Sequence, residues 1–111
     1  MKISVITINY NNCDGLRKTI ESVVNQTYKS VEYIIIDGGS TDDTLKIIEQ
    51  HRDSLPERFT LISEKDNGIY DAMNKGIRMA TGTLIGLLNS DDWYEPEAVE
   101  TVLAAYEKDP F

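Results

Sequence analysis

Two adjacent carboxylates, Asp91 and Asp92, follow the apolar run TLIGLLN of residues 83–89. Neighbouring acids repel each other and are costly to enclose, so a bound cation would explain them well. Mg²⁺ and Mn²⁺ prefer oxygen ligands, and their sites often combine one or two carboxylates with phosphate oxygens of a substrate. The pair therefore predicts a divalent cation that holds a diphosphate; the alternative is a polar turn before the helix that Pro96 opens.

A third acid, Asp37, ends the apolar run VEYIIID and is followed by Gly38 and Gly39. The two glycines allow the backbone to turn sharply and to approach a ligand closely. A carboxylate at this point can accept hydrogen bonds from a ribose or a base N–H group, or it can merely satisfy turn amides. Tyr10, directly after the run KISVITIN, is placed to stack on a nucleobase.

The segments around these residues alternate between strand and helix patterns. Apolar runs of strand length predict strands over residues 2–9, 31–37, 59–63 and 83–89. Apolar residues at helical spacing predict four helices between and after them. The inward positions are Leu16, Ile20, Val23 and Val24 in the first helix, Leu45 and Ile48 in the second, Ile69, Met73, Ile77 and Ala80 in the third, and Val99, Val102, Leu103 and Tyr106 in the fourth.

Polar residues and glycine predict where these helices begin and end. The expected signals are Asp14 as N-cap of the first helix, Ser40 or Thr41 as cap of the second with Asp42 and Asp43 in its first turn, Gly82 as the stop of the third, and Pro96 at the start of the fourth.

This β-α-β-α-β-α-β-α order predicts an α/β fold in which a parallel sheet carries helices on both faces. In open sheets of this kind, ligands bind beyond the carboxyl ends of the strands. The four ends are polar and comprise residues 9–11, 37–39, 64–67 and 89–92. The sequence therefore predicts one ligand site, built from loops at a single edge of the sheet.

Net charge, cysteine content and the length of the apolar runs limit the partners and the compartment that we expect for this chain. The chain of 111 residues has a formal net charge of -8 and no basic run, which argues against nucleic acid or an anionic membrane as partner. The single cysteine, Cys13, excludes an internal disulfide and fits a reducing compartment. The run ISVITI is too short for a signal peptide or a membrane span. We therefore expect a soluble, cytoplasmic protein.

Four motifs, in order along almost the whole chain, resemble those of the family 2 inverting glycosyltransferases: SVITINYNN, YIIIDGGSTDDT, EKDNGIYDAMNKGI and GTLIGLLNSDDWYEP. The resemblance implies the Rossmann-like GT-A fold, a nucleotide-sugar donor that is usually a UDP-sugar, and a divalent cation, Mn²⁺ or Mg²⁺. It also implies transfer to a glycan or lipid-linked acceptor in cell-surface polysaccharide or glycan biosynthesis.

The resemblance assigns a nucleotide-sugar contact to five residues and a metal contact to a sixth. These are Asn9 and Tyr10 at the nucleobase, Asp37 bound to the base, Asp66 beside it, Asp91 facing the ribose and donor sugar, and Asp92 as metal ligand. The chain departs from the family pattern at Asn9, where Thr is frequent, and at Asn89, where the acidic triplet often begins. Both departures bear on donor identity more than on the class of enzyme.

The family places its catalytic base and acceptor-binding elements further along, beyond Phe111. We therefore expect residues 1–111 to form a single nucleotide-sugar-binding domain, the N-terminal portion of a longer glycosyltransferase, with no catalytic residue of its own. The full-length protein is expected in the cytoplasm or at the inner face of the membrane. An uncovered sheet edge or apolar patch would let the fragment self-associate or form a homodimer.

Other classes fit less well. A phosphoacceptor receiver domain needs an acidic pair after its first strand, where this chain has NYNN, and a dinucleotide oxidoreductase needs a glycine-rich turn there. The main alternative is a nucleotide-binding module that performs no transfer.

Overall fold

Strands and helices alternate along the chain, as the sequence predicts. The computed structural model describes residues 1–108, so the end of the expected domain, residues 109–111, lies outside the described residues. The elements are β1 (Ile3–Asn9), α1 (Cys13–Val24), β2 (Val31–Asp37), α2 (Thr44–Gln50), β3 (Phe59–Ser63), α3 (Ile69–Met79), β4 (Leu84–Leu87) and α4 (Ala98–Lys108), with a short 3₁₀ turn, Arg52–Ser54, after α2. Within residues 1–108 no helix is long and apolar enough to cross a membrane.

The strands form one parallel sheet in the order β3-β2-β1-β4. Its register aligns Ile3 with both Val31 and Leu84, and Asn9 with Asp37. Because all neighbouring strands run in the same direction, their carboxyl ends lie at the same edge of the sheet. This confirms the predicted fold class and places the polar strand ends together.

The central strands β1 and β2 are buried on both faces of the sheet, but helices cover the two faces unequally. Successive residues of a strand point to opposite faces. Val5 and Tyr33 pack on the side of α1, α2 and α4, whereas Ile6 and Ile34 pack on the side of α3. One face therefore carries three helices and the other a single helix, which explains why the strands are apolar on both faces.

Helix α3 approaches the sheet through small residues. Its buried residues are Ala72 and Gly76, and a Cβ atom at Gly76 would lie 2.5 Å from Cγ2 of Ile6. The predicted inward positions Ile69 and Ile77 are instead exposed. A glycine at the contact lets the helix backbone come close, so the large side chains lie at the flanks of the interface rather than within it.

The start of α1 differs from the predicted one. The N-cap is Asn12, whose Oδ1 accepts a 3.2 Å hydrogen bond from the Gly15 N–H group. Asp14 lies one residue inside the first turn, where its charge still favours the helix dipole. The cap prediction for this helix was wrong by two residues.

The other helices show similar local corrections. Helix α2 begins at Thr44, so residues 40–43 precede it and belong to the loop. Leu45 is exposed, so Ile47 and not Leu45 joins the predicted Ile48 on the inward face. Helix α3 ends at Met79, before the predicted stop, and Val102 in α4 is exposed.

Strand β4 forms one edge of the sheet and is shorter than the predicted run of residues 83–89. On the side of α3, Ile85 and Leu87 are 44% and 43% exposed. On the other side, an apolar groove of about 160 Å³ lies between β4 and α4 and is lined in part by Tyr94 and Val102. This edge therefore presents apolar side chains and unpaired strand backbone to solvent.

Candidate functional site

The site begins with a row of polar residues at the carboxyl ends of three neighbouring strands. Asn9 of β1 is paired in register with Asp37 of β2, and Asp37 is paired with Ser63 of β3. The loops that follow these strands, together with the loop after β4, therefore gather above this row.

Asp37 is the hub of the row and is completely buried, at 0% exposure. Its Oδ1 accepts hydrogen bonds from Asn9 Nδ2 at 3.1 Å and the Ser40 hydroxyl at 2.6 Å. Its Oδ2 accepts from the Ser40 N–H group at 2.9 Å and the Ser63 hydroxyl at 2.8 Å. Burial raises the pKa of this carboxyl, but the hydrogen bonds from Ser40, Ser63 and Asn9 outweigh it and hold the pKa below its ordinary value.

These four bonds bear on the prediction that Asp37 binds the base directly, which stays a prediction. An ionised carboxylate offers about four lone-pair positions, and the structure fills all of them with protein donors. Asp37 therefore fixes the loop after β2 and presents no free acceptor to a ligand.

Asn9 is also buried, at 1% exposure, below the loops instead of at their surface. Its amide donates to Asp37 Oδ1 and, at 3.1 Å, to Thr44 Oγ1 at the start of α2. Its Oδ1 is buried and has no hydrogen-bond partner among the described residues. Asn9 therefore supports the loops from beneath, and its contact with a nucleobase stays a prediction.

Tyr10 and the half-buried Asp66 both lie against Gly38 at this end of the sheet. A Cβ atom at Gly38 would lie 3.0 Å from Asp66 Oδ2 and 3.3 Å from Cδ1 of Tyr10. The Tyr10 side chain is 62% exposed. Asp66 Oδ1 accepts a 3.0 Å hydrogen bond from the Gly68 N–H group, while Oδ2 faces Gly38. We call these three residues, Tyr10, Gly38 and Asp66, the base cleft.

Hydrogen bonds connect the loop after β1 to the loop after β2. The Asn11 N–H group donates to the Ser40 hydroxyl at 2.8 Å, and Asn11 Oδ1 accepts from the Thr41 N–H group at 2.7 Å. The Cys13 N–H group at the start of α1 donates to Asp42 Oδ2 at 3.0 Å. Asp42, predicted only to complement the dipole of α2, also joins the loop after β2 to the start of α1. The density of Ser, Thr and Asp directly after the glycines is the sequence signal for such side-chain hydrogen bonds to the backbone.

The fourth strand end carries the acid loop, residues 89–93. Asp91 and Asp92 are both exposed, and their carboxylates make no hydrogen bond or ion pair within residues 1–108. Asp91 has a φ of 85°, in the left-handed region that non-glycine residues rarely adopt. Its Oδ1 lies directly over Gly15, where a Cβ atom would be only 2.1 Å away.

The chain itself offers few metal ligands. Among residues 1–108 there is no group of three or more His, Cys, Asp and Glu side chains that could hold a metal ion. The two adjacent carboxylates of the acid loop are exposed, which suits them to contribute oxygen ligands together with a substrate.

Comparison with known proteins gives a consistent result. The family described as "Glycosyl transferase family 2" matches residues 4–111. The chain is 42% identical over 107 residues to the chondroitin synthase of Escherichia coli, which covers 96% of the chain and 16% of the synthase. It is 38% identical over 102 residues to a PGL/p-HBAD biosynthesis glycosyltransferase of Mycobacterium bovis, which covers 91% of the chain and 40% of that enzyme.

Among solved structures, Staphylococcus aureus TarS 1-349 in complex with UDP-GlcNAc superposes with a TM-score of 0.87 at 26% identity. The match covers 97% of this chain and 32% of the TarS chain. The chain therefore spans well under half of the length of these relatives.

Proposed function

This chain belongs to glycosyl transferase family 2 and has the α/β fold of GT-A glycosyltransferases, and from that premise we propose that its carboxyl edge binds a nucleotide-diphosphate sugar, with a UDP-sugar as the favoured donor. The observation that carries the proposal is the division of the edge into two parts. The exposed Tyr10 ring and the Asp66 carboxylate lie together against Gly38 at the ends of β1 to β3, and an exposed acid pair lies at the end of β4.

The base cleft is suited to a nucleobase. A ring stacks on Tyr10, Gly38 leaves room for its flat edge, and the free Oδ2 of Asp66 accepts a base N–H group. Asp37 and Asn9 act beneath the cleft by holding the loop in place. TarS, which matches over almost the whole chain, is recorded with UDP and with UDP-GlcNAc, and this supports uridine as the base.

Replacing Tyr10 with alanine is expected to weaken uridine binding about tenfold, because base stacking on an aromatic side chain contributes roughly 1–3 kcal/mol. Tyr10→Phe keeps the ring and is expected to bind uridine as the parent does. Calorimetric titration with uridine, which has no phosphate, isolates this end of the site. Equal affinities for the parent and Tyr10→Ala would remove Tyr10 from the base cleft.

The acid pair fits a hard divalent cation, Mn²⁺ or Mg²⁺. Carboxylate oxygens are the right donors, both side chains are exposed and without protein partners among the described residues, and a chain of net charge -8 disfavours a bare diphosphate. When bound, the cation would neutralise the diphosphate and favour its departure as leaving group. We assign Asp92 as its protein ligand and Asp91 to the ribose and donor sugar.

The acids assigned to the site are already engaged and are not free to act as a general base. Asp37 is saturated, Asp42 is bonded to Cys13 and Thr44, and the acid pair is assigned to the donor. Inverting transfer needs a base within about 3 Å of the acceptor hydroxyl. We propose that this base, and the site for a glycan or lipid-linked acceptor, lie outside residues 1–108. The similarity to a chondroitin synthase and to a PGL/p-HBAD biosynthesis glycosyltransferase supports cell-surface polysaccharide or glycolipid products.

Transfer assays test this proposal against a non-catalytic nucleotide-binding module. We expect the 111-residue chain to bind donor but to transfer no sugar, and a polypeptide that continues past Phe111 to transfer it with inversion. We propose that this transfer takes place in the cytoplasm or at the inner face of the membrane. The measurement is mass spectrometry of products from a panel of UDP-sugars and acceptors. Transfer by the short chain at the rate of the longer one would contradict the missing base, and no transfer by either would favour the binding module.

The edge of β4 is the proposed place of self-association. Two copies paired antiparallel along β4 would place Ile85 of each against Leu87 of the other and cover both. Leu87→Lys is expected to keep the chain monomeric in sedimentation velocity, while Leu45→Lys, an equally exposed leucine on α2, changes nothing. A monomeric parent at all concentrations would contradict this pairing.

A further inference from the structure

Polar residues along α1 and just beyond its two ends face the segment bearing the acid pair. Asn12 is the N-cap of α1, Thr19 lies within the helix, and Gln26 follows two residues after its last residue, Val24. Thr19 and Gln26 are buried. Buried polar side chains require partners, and each of the three residues has one in residues 89–99.

The partners follow the chain in order. Asn12 Nδ2 donates to the Ser90 hydroxyl at 3.4 Å, and the Thr19 hydroxyl donates to the Asp92 carbonyl oxygen at 2.6 Å. Gln26 Nε2 donates to the carbonyl oxygen of Glu95 at 2.8 Å, and its Oε1 accepts from the Val99 N–H group at 3.0 Å. The acid loop and the start of α4 are thus laid along α1 in register.

The loop needs such support because its backbone is strained. Asp91 adopts a φ of 85°, and a conformation of this kind persists only where surrounding structure holds it. Thr19 fixes the carbonyl of the next residue, and Gly15, one turn before Thr19 on α1, leaves the space that the Asp91 carboxylate fills. Both α1 residues act on the acids without being exposed to a ligand themselves.

We propose that Thr19 and Gly15 are positioning residues for the acid pair: they set the affinity of the site for a metal-bound diphosphate and leave the base cleft unaffected. The inference rests on the proposed function of the acid pair. On this proposal the edge has two independently supported halves. The base cleft is held by Asp37 and the loop after β2, and the acid pair is held by α1.

Three variants test the proposal by calorimetric titration with UDP and Mn²⁺, and with uridine alone. Thr19→Val removes the hydroxyl at constant shape and is expected to raise the Kd of UDP with Mn²⁺ about tenfold, as the loss of one buried hydrogen bond allows, with the Kd of uridine unchanged. Thr19→Ser keeps the hydroxyl and is expected to match the parent. Gly15→Ala introduces a better helix former yet is expected to weaken UDP, because the new Cβ would lie 2.1 Å from Asp91 Oδ1 and 2.5 Å from Asn12 Nδ2 and so displaces the Asp91 carboxylate and the Asn12 amide that supports its loop.

Amide hydrogen exchange without nucleotide gives a second readout. The Asp92 N–H group, bonded to the Asn89 carbonyl, is expected to exchange faster in Thr19→Val, while the Gly38 N–H group, bonded to the Asn9 carbonyl, is not. The proposal is overturned if Thr19→Val binds UDP like the parent, if it loses uridine by the same factor, or if Thr19→Ser behaves like Thr19→Val. A parent that binds no UDP with Mn²⁺ overturns the proposed function instead, and the exchange comparison then decides whether Thr19 holds the acid loop.

Discussion

Asp92→Asn is expected to raise the Kd of UDP in the presence of Mn²⁺ by more than about 100-fold, since even residues that only support metal ligands often cost 10–100-fold in metal affinity. The substitution keeps the shape of an exposed side chain and removes its charge. Once the charged oxygen ligand is gone, the cation and the diphosphate lose their link to the protein. Uridine binding, which involves the base cleft alone, is expected to stay at the parental level.

A matched control separates ligation from net charge. Asp53 lies in the 3₁₀ turn after α2 and is also exposed, so Asp53→Asn removes the same charge away from the acid loop. It is expected to bind UDP and Mn²⁺ as the parent does. Equal weakening in both variants would show that Asp92 acts only through the overall field of the chain, and full metal dependence in Asp92→Asn would remove it as a ligand.

Asp37→Ala is expected to lower the free energy of unfolding by about 3–5 kcal/mol, because it leaves buried donors without an acceptor. The donors are the buried Asn9 amide, the hydroxyl and N–H groups of the half-buried Ser40, and the Ser63 hydroxyl, whose bond is part-buried. A small domain has only about 5–15 kcal/mol of stability in total. Urea denaturation followed by circular dichroism measures the loss, and any fall in uridine affinity is expected to follow from the loosened loop.

The contribution of Asp37 is also expected to depend on pH. Hydrogen bonds hold its pKa in the folded chain below the ordinary value, despite burial. The stabilisation is therefore fully present above the unfolded pKa of about 4 and is lost as the pH falls through the folded value. The difference in stability between the parent and Asp37→Ala is expected to shrink below pH about 4.

Asp66→Ala is the matched control for this experiment. Asp66 is partly exposed and accepts one bond within the described structure, from the Gly68 N–H group. It is expected to change stability by less than about 1 kcal/mol while weakening uridine. If Asp37→Ala were as stable as Asp66→Ala, the hub assignment would be wrong, and direct base binding by Asp37 would return as the better explanation of any lost affinity.

The strands could be predicted from the sequence because each is specified locally. Two of the predicted runs, residues 31–37 and 59–63, coincide with β2 and β3, and β-branched residues dominate the first of them. The gathering of the polar strand ends at one edge followed from parallel topology alone. The inward face of α3 did not, because the pattern of large apolar residues pointed to Ile69 and Ile77, whereas contact with Ile6 required Ala72 and Gly76.

The roles of the acids could be predicted only in part. A sequence shows that Asp37 ends a strand, but whether its carboxylate faces a ligand depends on Ser63, which comes from another strand and lies 26 positions away. The support of the acid loop by Thr19 is equally non-local, at a separation of 73 positions. Local patterns therefore identified the edge and its acids, and tertiary contacts decided which of them are free to bind.

We propose that this edge binds a nucleoside diphosphate through a divalent cation. Calorimetric titration of the 111-residue chain with UDP, once with Mn²⁺ and once with a chelator, tests this metal dependence. We predict binding that is at least about tenfold tighter with Mn²⁺, because the acidic chain otherwise repels the diphosphate. Equal affinity under both conditions, or no UDP binding in either, would contradict the account.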